Sequence, residues 1–218
     1  MKKIIIFLAI ILVLLIIGLF TYDHIINYEK IEFKKEFELY NNKTYKNKKE
    51  NVKYLNVNID KNNNIEYLKD DNILEEISND SKIIFFASPD SNNSRILIPE
   101  LIKQTMDNGI EKIYYYNINN LEELYEKKDK NAEKIYEELV KILDSYINKT
   151  FDSGNKKGKK KINNPTVIVI NKGKIKSYHE GSVPNVDVNK PLSNDEEKKL
   201  SEICENIALD LIMCNDDC

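Results

Sequence analysis

An apolar run, Ile83 to Ala87, stops at Pro89, and a helical pattern starts at Ser91. Ile96, Leu97, Ile98, Leu101, Ile102 and Met106 fall at helical spacing with a broad buried face, and Pro99 lies inside it. A proline there removes the amide that would bond the Arg95 carbonyl, so the spacing predicts a helix kinked near Arg95. Far downstream, Asn164-Pro165-Thr166 opens a second apolar run, Val167 to Ile170, followed by a turn at Lys172-Gly173. Two strands that each meet a proline at one end, one of them feeding a helix, leave few arrangements open.

The first lysines, Lys2 and Lys3, precede an uninterrupted apolar run from Ile4 to Phe20. A helix of about 17 residues spans roughly 26 Å at ~1.5 Å per residue, the short end of a membrane span. Residues 1–21 are therefore expected to be a transmembrane anchor, with the lysines holding the N-terminus in the cytoplasm and the rest of the chain outside. The rival reading is a cleaved signal peptide. Bulky Leu19 to His24 stand where small residues would mark cleavage, which favours the anchor. Residues 22–51 are charged and rich in Asn and Lys, and read as a stalk.

The remainder alternates strand and helix patterns. Val52 to Ile59 is expected to be a strand, Asp71 to Ile77 a short helix, and Lys82 to Ala87 a buried central strand. The helix from Ser91 ends at Asn108-Gly109. A strand over Lys112 to Ile118 follows, then two helices parted near Lys127 to Lys130, then a loop over Thr150 to Asn164. Thr166 to Asn171 and Lys174 to His179 form a hairpin. Ser193 with Glu196 marks the capping box of a last helix, with an apolar stripe at Leu200, Ile203, Cys204, Ile207 and Leu211. This order predicts an α/β domain, a mixed sheet with helices on both faces. Net charge is −3, so no global basic field calls for nucleic acid. The two histidines, His24 and His179, are far apart and the three cysteines crowd the end, so no metal-ligand spacing forms and no cofactor is expected.

The stretch Pro89-Asp90-Ser91-Asn92-Asn93-Ser94-Arg95, with Pro99 five residues past Ser94 and Asn164-Pro165-Thr166 ahead of a hairpin, resembles the thioredoxin-like family. In that family a strand ends in C-x-x-C at a helix start, a proline kinks the helix, and a distant cis-proline faces the cysteines. The resemblance covers residues 52–213, with 214–218 as a cysteine-containing tail. Exported Gram-positive members, including bacteriocin-transport accessory proteins, have a similar layout. It implies a thioredoxin-like mixed central sheet and a cis Pro165. It fails at both thiols, where Ser91 and Ser94 stand.

That failure decides the chemistry. Disulfide exchange needs a thiolate, which a helix N-terminus stabilises; a serine hydroxyl forms no mixed disulfide. A serine nucleophile needs an adjacent base, which neither histidine is placed to supply. Ser91 reads as an N-cap. The chain is thus expected not to be an enzyme. What the resemblance leaves is a binding face for a protein or extended peptide, built from Ser91, Asn92, Asn93, Ser94, Asn164, Pro165 and Thr166. The alternative is a thiol–disulfide oxidoreductase using Cys214 and Cys218, against which adjacent Asp216 and Asp217 oppose a thiolate. A structural disulfide between those two, or a pairing of Cys204 with either, stays open; Cys204 itself reads as a core thiol. The Lys156 to Lys161 run reads as a solvated loop or a holder of anionic groups, and His179 as a surface residue.

Overall fold

The computed structural model of the chain describes residues 28–47 and 50–216, together with residues 11 and 13. The expected transmembrane anchor falls almost wholly outside the described residues, and among those described no helix is long and apolar enough to cross a membrane.

Residues 28–38 form the first helix, α1. A small hairpin follows, β1 (Thr44–Asn47) and β2 (Glu50–Lys53). Then come β3 (Ile65–Tyr67), α2 (Ile73–Ser78), β4 (Lys82–Ala87), α3 (Asn92–Asp107), β5 (Ile113–Asn117), α4 (Ile118–Glu126), α5 (Lys130–Ile142), β6 (Thr166–Asn171), β7 (Lys174–Glu180) and α6 (Asn194–Asp216). The main sheet has five strands in the order β3-β5-β4-β6-β7. The first three run parallel, while β6 is antiparallel to β4 and to β7.

β4 lies at the centre of that order and is buried along its whole length, as its unbroken apolar run requires. Successive side chains point to opposite faces. Ile83, Phe85 and Ala87 meet Phe33 and Phe37 of α1, Leu97, Ile98 and Leu101 of α3, and Cys204, Ile207 and Ala208 of α6. Ile84 and Phe86 meet Ile73 and Ile77 of α2, Leu121 and Tyr125 of α4, and Tyr136 and Leu139 of α5. Lys82, the one charged residue on the strand, is ion-paired with Glu76 and lies 5.3 Å from the Tyr114 ring centroid. Both faces are thus covered by helices, and the mixed α/β expectation is met.

Two expectations shift. Residues 28–38, read as part of a stalk, lie in the core: Phe33 and Phe37 are fully buried and meet the Tyr115 ring edge-to-face at centroid separations of 4.9 and 5.9 Å. The Val52 to Ile59 strand does not form: only its first two residues are in a strand, and that strand pairs outside the main sheet. The alternation itself is real, since Val57 and Ile59 are buried. The backbone of this segment is served by side chains in place of a neighbouring strand. Asn41 brackets Val57, donating to its carbonyl at 2.8 Å and accepting from its amide at 2.9 Å. Glu38 accepts from the Ile59 amide, and Lys34 donates to the Ile59 carbonyl. The sheet takes the three-residue Ile65–Tyr67 as its edge instead.

The β6–β7 turn places both Lys172 (φ 49°) and Gly173 (φ 72°) in the left-handed region, as a tight hairpin demands. A Cβ at Gly173 would lie 2.3 Å from the Ser78 carbonyl, so the turn needs glycine for close approach as well as for its backbone angle.

Candidate functional site

The C-terminal end of β4, the first turn of α3 and the start of β6 meet at one place, because Phe86 pairs with Thr166 in the antiparallel register. The Asn164–Pro165 peptide is cis. Ser91 is the N-cap of α3; its hydroxyl accepts the Ser94 amide at 3.4 Å and reaches the Asn164 carbonyl at 3.5 Å. Ser91, Ser94, Asn164, Pro165 and Thr166 of the expected binding face are therefore brought together, with Ser91 and Ser94 bonded to each other and to Asn164.

Asn164 is the hub. Its Oδ1 accepts from the Ser94 hydroxyl at 2.7 Å and the Ser88 amide at 3.1 Å. Its Nδ2 donates to the Ser88 hydroxyl at 2.6 Å and to Asn119 Oδ1 at 3.0 Å. Ser88 in turn donates to Asp90 Oδ1 at 2.5 Å, and Asn119 Nδ2 donates to the same oxygen at 2.9 Å. Thr166 is buried with its hydroxyl on the Asn163 carbonyl at 2.9 Å, and the Pro165 carbonyl accepts the Gly181 amide at 2.9 Å. Ser94 is fully buried, whereas Ser91, Asn93 and Asn164 are half-buried and Asp90 is exposed.

Asn92 turns away from this cluster. It accepts from the Leu55 amide at 2.8 Å and donates to the Lys53 carbonyl at 3.1 Å, serving the extended segment beside α1. Asn93 accepts from the Ser182 hydroxyl at 2.9 Å, and the Ser182 carbonyl lies 3.0 Å from His179 Nε2. His179 is half-buried, where the sequence suggested a surface position. Burial pushes its pKa below the ordinary 6.5, with backbone hydrogen bonds at Ser182 and Gly181 opposing the shift. A histidine whose folded pKa is depressed stays neutral while the unfolded chain takes up a proton, so stability falls as pH drops below about 6.5. We expect the urea midpoint to fall between pH 7 and pH 5.5, and His179→Asn to flatten that part of the decline.

Among the described residues no base activates Ser91 or Ser94. The Ser94 hydroxyl donates to an amide oxygen, His179 is engaged at Ser182, and Ser88, the one hydroxyl here bonded to a carboxylate, is buried. A nucleophile needs a proton acceptor and access to substrate, and this cluster supplies neither together. Among the described residues no group of His, Cys, Asp and Glu has the geometry to hold a metal ion. Cys204 is fully buried, and burial pushes its thiol pKa up, consistent with an inert core thiol. The backbone of Cys214 lies within α6, but its side chain and all of Cys218 lie outside the described residues, as does the proposed redox or structural pair they form.

A cleft of about 790 Å³ adjoins the cluster at Asn119 and runs between α4 and the 150–161 loop. Its charges are largely internal. Glu122 is buried, bonded by Tyr136 at 3.2 Å and by Lys161 at 3.1 Å. Glu126 accepts the Asn155 amide at 2.9 Å. Part of the lysine run is committed in the same way: Lys156 pairs with Glu133 and lies 3.8 Å from the Tyr125 ring centroid, and Lys160 pairs with Asp144 at 2.6 Å. Lys157 and Lys159 are exposed.

Arg95 is the residue whose importance local pattern understated. It is 1% exposed at the first turn of α3. Nε donates to the Leu55 carbonyl at 2.6 Å, one Nη to the Phe37 and Pro89 carbonyls at 2.5 and 2.9 Å, and the other to Asn41 Oδ1 at 2.6 Å. One side chain thus ties the end of α1, the 54–59 segment and the Pro89 turn to the helix. Ser88 and Asn119 were also not foreseen, since nothing in their spacing points at Asn164. Comparison with protein-family models, curated proteins and solved structures finds no match to this chain.

Proposed function

We propose that this chain is a membrane-anchored, extracytoplasmic thioredoxin-like protein whose catalytic dithiol has been replaced by Ser91 and Ser94, and that it binds a protein or extended peptide as an accessory to export or envelope assembly. The observation that carries the reading is the start of α3 facing a cis Asn164–Pro165 peptide ahead of a hairpin, with two hydroxyls where exchange chemistry would need thiols. The anchor rests on the apolar run Ile4 to Phe20 behind Lys2 and Lys3. The Ser91 and Ser94 hydroxyls bond inward and cannot take part in disulfide exchange, so a binding face is the reading this end of the sheet supports best. The exposed rim of that surface is Asp90, with half-buried Asn93, Asn119 and Asn163 around it.

The test places a photo-crosslinking amino acid at position 90, at position 163, or at Lys141 on the far side of the sheet, in cells carrying the full-length chain. One discrete adduct shared by 90 and 163 and missing at 141 is expected. No adduct at either, or the same adduct at all three, contradicts a binding face at this end of the sheet.

A further inference from the structure

Arg95 is the only arginine in the sequence, and among the described residues it is buried without an acidic partner. Buried charges are ordinarily paired with an opposite charge. Here four of the five guanidinium N–H groups go to neutral oxygens, and the fifth has no acceptor among the described residues. Beside the guanidinium opens a groove of about 590 Å³, which Arg95 itself lines. Lys53, Tyr54 and Asn189 also line it, and among the described residues no acidic residue does, in a chain whose net charge is −3. Lys53 is exposed and forms no ion pair among the described residues. Ile96 and Pro191 add an apolar wall, and the Tyr54 ring centroid lies 5.9 Å from the guanidinium carbon.

We propose that this groove binds a small organic anion, a carboxylate or phosphate monoester with a short apolar body. The head group answers the positive charge of Arg95 and Lys53, which no carboxylate among the described residues pairs, and the body lies on Tyr54, Ile96 and Pro191. Such a site is separate from the Asn164 cluster and does not depend on the binding reading above. Charge complementarity carries it: a buried cation beside an open, acid-free groove gains an anionic partner without losing the carbonyls that hold it.

A chain with one arginine gives one guanidinium Nε–Hε signal in a ¹⁵N spectrum, which reports at the groove itself. The full-length ¹⁵N-labelled chain in non-ionic detergent is titrated at pH 7 with butyrate, butyl phosphate and butylammonium. A saturable shift of the Arg95 signal is expected with at least one anion, with a dissociation constant of about 1 mM or tighter, and none with butylammonium. The tighter anion identifies the head group. Lys53→Gln, at an exposed position that leaves the Arg95 signal in place, is expected to weaken binding several-fold. No shift with either anion, an equal shift with butylammonium, or unchanged affinity in Lys53→Gln overturns the proposal.

Discussion

Arg95→Leu is expected to cost this protein about 3–5 kcal/mol, the largest loss from any single substitution outside the hydrophobic core. The leucine leaves the Leu55, Phe37 and Pro89 carbonyls and Asn41 Oδ1 without their donor. Each orphaned buried acceptor costs about 1–3 kcal/mol. Two effects reduce the sum: the desolvated cation is removed, and water reaches some of these oxygens from the adjoining groove. Phe37 sits in the last turn of α1, so the guanidinium also meets the negative end of that helix, and this contribution goes too. Against a typical stability of about 5–15 kcal/mol, the loss moves the urea midpoint by more than ~1 M at an m-value of about 1–3 kcal/mol/M. Arg95→Lys separates charge from shape. A lysine keeps the charge, but its single ammonium cannot span carbonyls on three chain segments, whereas the planar fork does. We expect Arg95→Lys to recover less than half of the loss; full recovery would show that charge alone matters at this position.

The second large effect is a gain. Ser91→Cys with Ser94→Cys is expected to create a reversible disulfide and to raise insulin reduction above that of the chain with serines at both positions. The serine at 91 occupies the N-cap of α3, where amides and helix dipole favour an anion. A thiol there is expected to ionise at about pH 7 instead of about 8.5. The 3.4 Å contact between the Ser91 hydroxyl and the Ser94 amide puts the two side chains on the same turn. The sulfur at 94 loses a strong bond to Asn164, but Asn164 keeps three others through Ser88 and Asn119. Exposed Asp90 opposes the thiolate, and solvent screens it.

The parts of this account legible in the sequence were those set by local pattern. The unbroken run Ile83 to Ala87 gave a buried strand, Ser91 a cap, Lys172-Gly173 a turn, and Ser193 with Glu196 a capping box in which Glu196 accepts the Ser193 amide at 2.7 Å. What stayed hidden depends on contacts between distant segments. Phe33 and Phe37 sit in a charged, Asn/Lys-rich stretch and look like isolated apolar residues until α1 packs on Tyr115. The 54–59 segment has strand periodicity without a strand partner, because Asn41, Glu38 and Lys34 bond its backbone. The lysine run looks basic in one dimension and is partly neutralised by Glu133, Asp144 and Glu122 in three. Side-chain bonds to a remote backbone leave no periodic trace, so Arg95 and Asn164 stood out only through the family resemblance, and the bonds they make had no signal to read.

The most direct test of the degenerate-site account is a redox titration of the full-length chain carrying Ser91→Cys and Ser94→Cys with Cys214→Ser and Cys218→Ser, trapping free thiols at each poise and locating them by mass. Positions 91 and 94 are expected to oxidise together, with a midpoint between about −120 and −270 mV, the range of exchange-competent pairs. If the two thiols titrate independently, or stay reduced across that range, this helix start is not a thiol-exchange site that has lost its sulfurs, and the thioredoxin-like reading falls with it.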